Sequence, residues 1–118
     1  MGPEDVVRAQ LAAWQTLDAE KILDYFADDA VLVDPSGTYR GLDEIGSWVR
    51  GHVGRMEHAD LQVLNTAVNG NLVMVERLDR FIYDGKSVSA GCMGAFEVSD
   101  TKITAWRDYF DMPGSTSS

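Results

Sequence analysis

Val75-Glu76-Arg77-Leu78-Asp79-Arg80-Phe81 and Ile103-Thr104-Ala105-Trp106-Arg107-Asp108-Tyr109-Phe110-Asp111 are the two stretches on which the fold of this chain turns. Both are rich in β-branched and aromatic residues that alternate with charged ones, the pattern of strands. Side chains two apart on a strand share a face, so Val73, Val75, Arg77, Asp79 and Phe81 point one way. On the second stretch Thr104, Trp106, Asp108 and Phe110 share one face, and Arg107, Tyr109 and Asp111 the other. An arginine and an aspartate set among valines and a phenylalanine place charge on a core-facing surface, where an unpaired ion is very costly. Asp108, between Trp106 and Phe110, meets the same difficulty. One guanidinium between two carboxylates answers both, so Arg77 is expected to bridge Asp79 and Asp108.

Outward from these strands, period two covers the second half of the chain. It gives four strands, roughly Asp60 to Val68, Leu72 to Tyr83, Ser87 to Val98 and Lys102 to Met112. Asn69-Gly70, Asp84-Gly85 and Ser99-Asp100 fall at the joints, with the chemistry of hairpin turns. Gly91 and Gly94 predict a bend or bulge in the third of these strands.

The first half has helical spacing. Val7, Leu11, Trp14 and Leu17 lie on one stripe, and Pro3 with Glu4 and Asp5 suits a helix start. Asp18 reads as the N-cap of a second, shorter helix with Ile22, Leu23 and Phe26 inward. Val31 to Asp34 form a short strand, ended in a turn by Pro35, Ser36 and Gly37. A third helix follows Gly41, with Ile45, Trp48, Val49, Val53 and Met56 on its stripe. Helices followed by a meander make an α+β plan, a curved sheet with the helices packed on its concave face and a conical pocket between. Residues 1–112 are expected to form this one domain, and residues 113–118 a disordered tail.

Composition narrows the partners. The 118 residues suffice for one core and not two. A net charge of −9 argues against nucleic acid or an anionic membrane as partner. The single cysteine, Cys92, precludes an internal disulfide and fits a reducing cytoplasm. Nothing near Met1 resembles a signal peptide, and no apolar run approaches the ~18 residues of a membrane span. A small uncharged or cationic molecule, or a second copy of the chain, is the expected partner.

Helix–helix–strand–helix and then four strands, with Phe26-Ala27-Asp28-Asp29-Ala30 before the first strand, resembles the NTF2-like (SnoaL/ketosteroid isomerase) superfamily. Within it, Glu76-Arg77-Leu78-Asp79, Gly94-Ala95-Phe96, Lys102-Ile103-Thr104 and Trp106-Arg107-Asp108-Tyr109-Phe110-Asp111 resemble limonene-1,2-epoxide hydrolase. That resemblance implies a one-step opening of an apolar epoxide by water, giving a vicinal diol with no covalent intermediate and no cofactor or metal. Asp108 would be the base that deprotonates water, Asp79 the acid that protonates the epoxide oxygen, and Arg77 the cation that holds both. Leu32 and Asp34 stand where the family has a tyrosine and an asparagine that help to hold the water. Trp106, Phe110 and Phe81 would wall the substrate site.

Other readings compete. Phe26 to Pro35 also resembles ketosteroid isomerase, in which the final Asp, here Asp34, moves a proton beside a carbonyl. The donors that isomerase needs are replaced by Gln10 and Cys92 near the matching positions. An isomerase or cyclase using Asp34 or Asp108, or a non-catalytic carrier of an apolar ligand, are the alternatives. Read without the resemblance, the Arg77, Asp79 and Asp108 group is a structural ion-pair network, Asp34 a turn residue, and His52 and His58 surface or helix-end residues. Cys92 reads as a small buried hydrophobe, and Asp28-Asp29 as a solvated helix-end pair. The outward face carries Leu72, Met74, Leu78, Ile82 and Tyr109, too apolar for open water, which predicts a homodimer through that face.

Overall fold

A computed structural model describes residues 2–111, so Met112 and the expected tail lie outside the described residues. Its helices are α1 (Pro3–Ala13), α2 (Ala19–Leu23) and α3 (Gly41–Val53). Its strands are β1 (Phe26–Asp34), β2 (Gly37–Arg40), β3 (Met56–Asn69), β4 (Leu72–Tyr83), β5 (Lys86–Ser99) and β6 (Lys102–Tyr109). Among the described residues no helix is long and apolar enough to cross a membrane.

Local chemistry sets the helix ends. Pro3 occupies the first turn of α1, where its missing N–H costs nothing, and the Asp5 carboxylate reaches back to the Gly2 amide at 3.1 Å. Of the predicted stripe, Val7 and Leu11 on α1 and Trp14 just after it are buried and Leu17 is half-buried, while Val6 and Gln10 also face inward. Leu17, in the left-handed region at φ 55°, ends the helical stretch after a 3-10 turn at Trp14–Thr16. Asp18 then caps α2 through the amides of Glu20 and Lys21, as its residue type predicted.

The six strands form one open, mixed sheet in the order β2-β1-β6-β5-β4-β3. β3 to β6 are the predicted antiparallel meander. β1 lies parallel to β6, with Leu32 beside Trp106, which brings the first strand of the chain against the last. Asp84 and Gly85 both take positive φ, as a two-residue turn of the primed type demands. The core lies between the sheet and the helices, where Val7, Leu11, Ile45 and Val49 meet Val73, Val75, Phe96, Ile103 and Trp106.

The structure corrects several boundaries. Phe26 opens β1 instead of closing α2, because its neighbour Tyr25 is already tied to β6 through its carbonyl and the Ile103 amide at 2.8 Å. Asp28 and Asp29 are therefore exposed residues of an irregular part of β1, not a helix-end pair. Met56 begins β3 instead of ending the α3 stripe, since α3 stops at Val53 and Met56 pairs with Tyr83. Gly37, expected to close a turn, instead opens β2, which continues through Thr38, Tyr39 and Arg40, residues given no element by the sequence. Gly37 to Arg40 have no apolar alternation, and their strand character comes from pairing with β1. β6 ends at Tyr109, short of the predicted Met112. The irregularity in β5 lies at Glu97/Val98, not at Gly91 or Gly94.

Candidate active site

Arg77, Asp79 and Asp108 lie together on the core-facing side of the sheet, 1%, 7% and 9% exposed. Strand alternation puts Arg77 and Asp79 on one face of β4. The register then places Cys92 opposite Arg77 and Gly94 opposite Asp108, so the β5 strand between the charged pair carries only small side chains there. Across this gap Arg77 grips both carboxylates. Its Nε and Nη2 donate to the two oxygens of Asp79 at 2.9 and 2.8 Å. Its Nη1 and Nη2 donate to those of Asp108 at 3.0 and 2.8 Å. A third interaction runs from Nη2 to Cys92 Sγ at 3.3 Å.

The two carboxylates are not equivalent. Asp108 Oδ1 also accepts from the Trp106 indole Nε1 at 2.6 Å, whereas among the described residues the Asp79 side chain is held by Arg77 alone. Burial pushes the Asp79 carboxyl above its ordinary range. The Arg77 hydrogen bond and charge pull the other way, and the Asp108 charge adds to the rise. Burial by itself would lower the pKa of Arg77, but the hydrogen bonds and charges of the two aspartates raise it, so the group is a fixed cation. Burial, and then the charge of Asp108, push the Cys92 thiol up to about 12. A carboxyl biased toward its acid form stands beside a second carboxylate carrying more donors, with a cation between. Such a pair can give a proton at one end and take one at the other.

The remaining predicted residues divide. Trp106 is buried against Phe96, Phe26, Trp14 and Trp48, with its ring 5.1 Å from that of Phe96 and 6.1 Å from that of Trp48. Its bond to Asp108 gives it a role beyond the wall and core position expected of it. Phe81 is half-buried on β4, and Phe110, also half-buried, lies just past the end of β6, so its predicted place on a strand face does not hold. Leu32 is buried beside Trp106. Asp34 follows on the same strand, but its Oδ1 is engaged by the Ser36 amide at 2.8 Å and the Ser36 hydroxyl at 2.5 Å, the turn geometry expected of Asp before Pro-Ser. His58 is exposed.

Sequence reasoning missed the cleft at the mouth. About 860 Å³ opens between β2, α3 and the end of β4, walled by Tyr39, Trp48, His52 and Tyr83 among others. His52, expected at the surface or a helix end, is in the last turn of α3, half-buried, and lies over the Trp48 ring with centroids 4.6 Å apart. Tyr83 could have been found by carrying the β4 alternation one step past Phe81. Tyr39 could not, because β2 was not recognised. The triad does not line this cleft; Trp48 and Trp106 connect the two by edge-on packing. Among the described residues no group of three or more His, Cys, Asp or Glu is arranged to hold a metal ion.

Comparison with known proteins places the chain in a family. The family model described as the SnoaL-like domain matches residues 7–106. The chain is 32% identical over 107 residues to epoxide hydrolase EphG of Mycobacterium tuberculosis, covering 90% of this chain and 71% of that protein. The solved structure of an M. tuberculosis LEH-like epoxide hydrolase superposes with a TM-score of 0.81 at 31% identity, over 91% of this chain and 80% of that one. A hypothetical protein with a ketosteroid isomerase-like fold from Catenulispora acidiphila, solved with trimethylamine, gives a TM-score of 0.83 at 22% identity, over 95% and 88% of the two chains. That last similarity is one of fold, and the fold is NTF2-like.

Proposed function

This chain belongs to the SnoaL-like domain family, and we propose that within it the protein is an epoxide hydrolase adding water to an apolar epoxide in one step. The observation that carries this is the nearly complete burial of one guanidinium chelated by two carboxylates of unequal surroundings. Its similarity to epoxide hydrolase EphG of M. tuberculosis, and to the solved structure of an M. tuberculosis LEH-like epoxide hydrolase, supports the same chemistry. Asp108 takes a proton from water as the water oxygen attacks a ring carbon. The carbon–oxygen bond of the strained ring breaks, and its electron pair takes the proton of Asp79. Transfer of the proton from Asp108 to Asp79 restores the resting state, so one water and one epoxide leave as a vicinal diol. Arg77 holds both carboxyls at fixed separation throughout and balances the negative charge as it passes from Asp108 to Asp79.

The substrate is an apolar terpene-like, steroid-like or polyketide epoxide that enters through the cleft walled by Tyr39, Trp48 and Tyr83. No cofactor takes part. The protein acts as a cytoplasmic homodimer joined through the outer face of the sheet. An isomerase using Asp34 has less support, since Ser36 already engages that carboxylate.

Turnover of cyclic and terminal epoxides in isotopically labelled water tests this function, with Asp79→Asn and Asp108→Asn beside the wild type. Labelled diol from the wild type alone is the expected result. Turnover that survives both substitutions would sink the mechanism. Binding of an apolar ligand with no diol from any epoxide would favour a carrier.

A further inference from the structure

Four rings follow one another along the wall of the mouth cleft: Tyr39 from β2, Trp48 and His52 from α3, and Tyr83 from the end of β4. Their centroids succeed each other at 6.0, 4.6 and 6.0 Å, with the planes tilted by 44°, 37° and 56°. Rings tilted in this way do not close off one another's faces as parallel stacking would. The two central rings are tied together, since His52 Nδ1 donates to the Trp48 carbonyl at 2.9 Å. The face of an aromatic ring is the negative part of its quadrupole and attracts a cation within about 6 Å of the centroid.

One end of the row already holds a cation. The Arg55 guanidinium lies 4.5 Å over the Tyr83 ring, and the Asp84 carboxylate neutralises it. The other end has the same parts without the cation. There Tyr39 meets Trp48, and Asp43 and Glu44 line the cleft from the first turn of α3, with Glu44 one helical turn before Trp48. Both carboxylates are exposed. Glu44 Oε1 accepts from the Arg40 amide at 2.8 Å, and among the described residues no hydrogen bond engages the Asp43 side chain. Arg55 is the only lysine or arginine among the described residues that line the cleft, and Asp84 already balances it. The charge of Asp43 and Glu44 therefore has no such counter-ion in the lining.

We propose that the Tyr39–Trp48 end of the cleft binds a small alkylated ammonium ion. Its alkyl groups rest on the two rings while Asp43 and Glu44 supply the counter-charge. An alkylated ammonium suits this wall better than a primary amine, because ring faces are only weak acceptors for N–H donors. A neutral molecule of the same shape gains the apolar contact but neither electrostatic attraction. The net charge of −9 raises the local concentration of such cations. The site is separate from Arg77, Asp79 and Asp108, which do not line the cleft, and it stands whether or not the protein opens an epoxide. Its occupant narrows the entrance proposed above for the epoxide.

Choline tests this against dimethylbutanol, its neutral isostere in which a carbon replaces the quaternary nitrogen. Each is titrated at low salt into the isotope-labelled full chain and followed by nuclear magnetic resonance. Choline is expected to bind about tenfold more tightly, with shifts confined to β2, α3 and the end of β4. Tyr39→Leu should remove most of that preference, and Tyr39→Phe, which keeps the ring, should preserve it. Asp43→Asn combined with Glu44→Gln changes only exposed side chains, and should weaken choline severalfold while leaving the alcohol unchanged. Equal affinities for the two probes, no binding of choline, or shifts centred on the triad overturn the proposal. Choline affinity unchanged in either Tyr39→Leu or the double variant overturns it as well.

Discussion

Gly94 stands opposite Asp108 across the β5–β6 ladder, and a Cβ at position 94 would lie 2.8 Å from Asp108 Oδ1 and 2.8 Å from Arg77 Nη1. The missing side chain is what lets the guanidinium cross from β4 to β6. Gly94→Ala is expected to cost about 1–3 kcal/mol of stability through overpacking. It should also lower kcat/KM by roughly a hundredfold, as a displaced catalytic pair does. Urea unfolding and epoxide turnover check both. Gly91→Ala is the control, because a Cβ there meets nothing within 4 Å.

Removing the cation should be worse than removing all the charge. Arg77→Met leaves Asp79 and Asp108 buried without their counter-ion, which is expected to cost about 3–5 kcal/mol. Adding Asp79→Asn and Asp108→Asn to that variant should restore part of the loss while abolishing turnover. Equal stability of the single and triple variants would mean that the carboxylates do not depend on Arg77.

The raised pKa of Asp79 makes both rate and stability depend on pH in a defined direction. Between the unfolded value of 3.8 and the higher folded value, the native state binds a proton that the unfolded chain has lost. Stability therefore falls as pH rises through that window and levels off above the folded pKa. Turnover needs the acid form of Asp79, so kcat should fall on the alkaline side of the same pKa. Urea midpoints across pH should show the decline in the wild type and a flatter profile in Asp79→Asn.

Cys92 is expected to resist alkylation. Its thiol is buried, accepts from Arg77, and is pushed up to about 12, so almost no thiolate exists near neutral pH. Iodoacetamide at pH 8 followed by mass determination should find the native protein unlabelled and the urea-unfolded protein labelled. Labelling of the native protein at the unfolded rate would contradict this.

The outer face of the sheet supports the proposed dimer. Tyr109 is 62% exposed and lies opposite Met93, which is 41% exposed, and Met74 on β4 is similarly open. Sedimentation equilibrium should give twice the chain mass, and Met93→Lys combined with Tyr109→Lys should shift it toward the monomer. Twice the chain mass retained at micromolar concentration in that variant would place the contact elsewhere.

Alternation along residues 72–83 and 102–109 was enough to assign faces, because a strand's side-chain period is fixed by backbone geometry and not by its neighbours. The same regularity made the core stripe of α1 legible. Phe26 and Met56 were misassigned because a short apolar run at an element's end fits either period until pairing decides.

Burial of charge among apolar residues let the sequence alone bring Arg77, Asp79 and Asp108 together, since each demands a partner wherever the chain folds. Only the tertiary structure decided the rest. The parallel pairing of β1 with β6, the clearance at Gly94, the bond from Trp106 to Asp108 and the row of rings from Tyr39 to Tyr83 are relations between elements distant in sequence. Periodicity states which way a side chain points along its own strand or helix. What it meets there is set by how the elements pack.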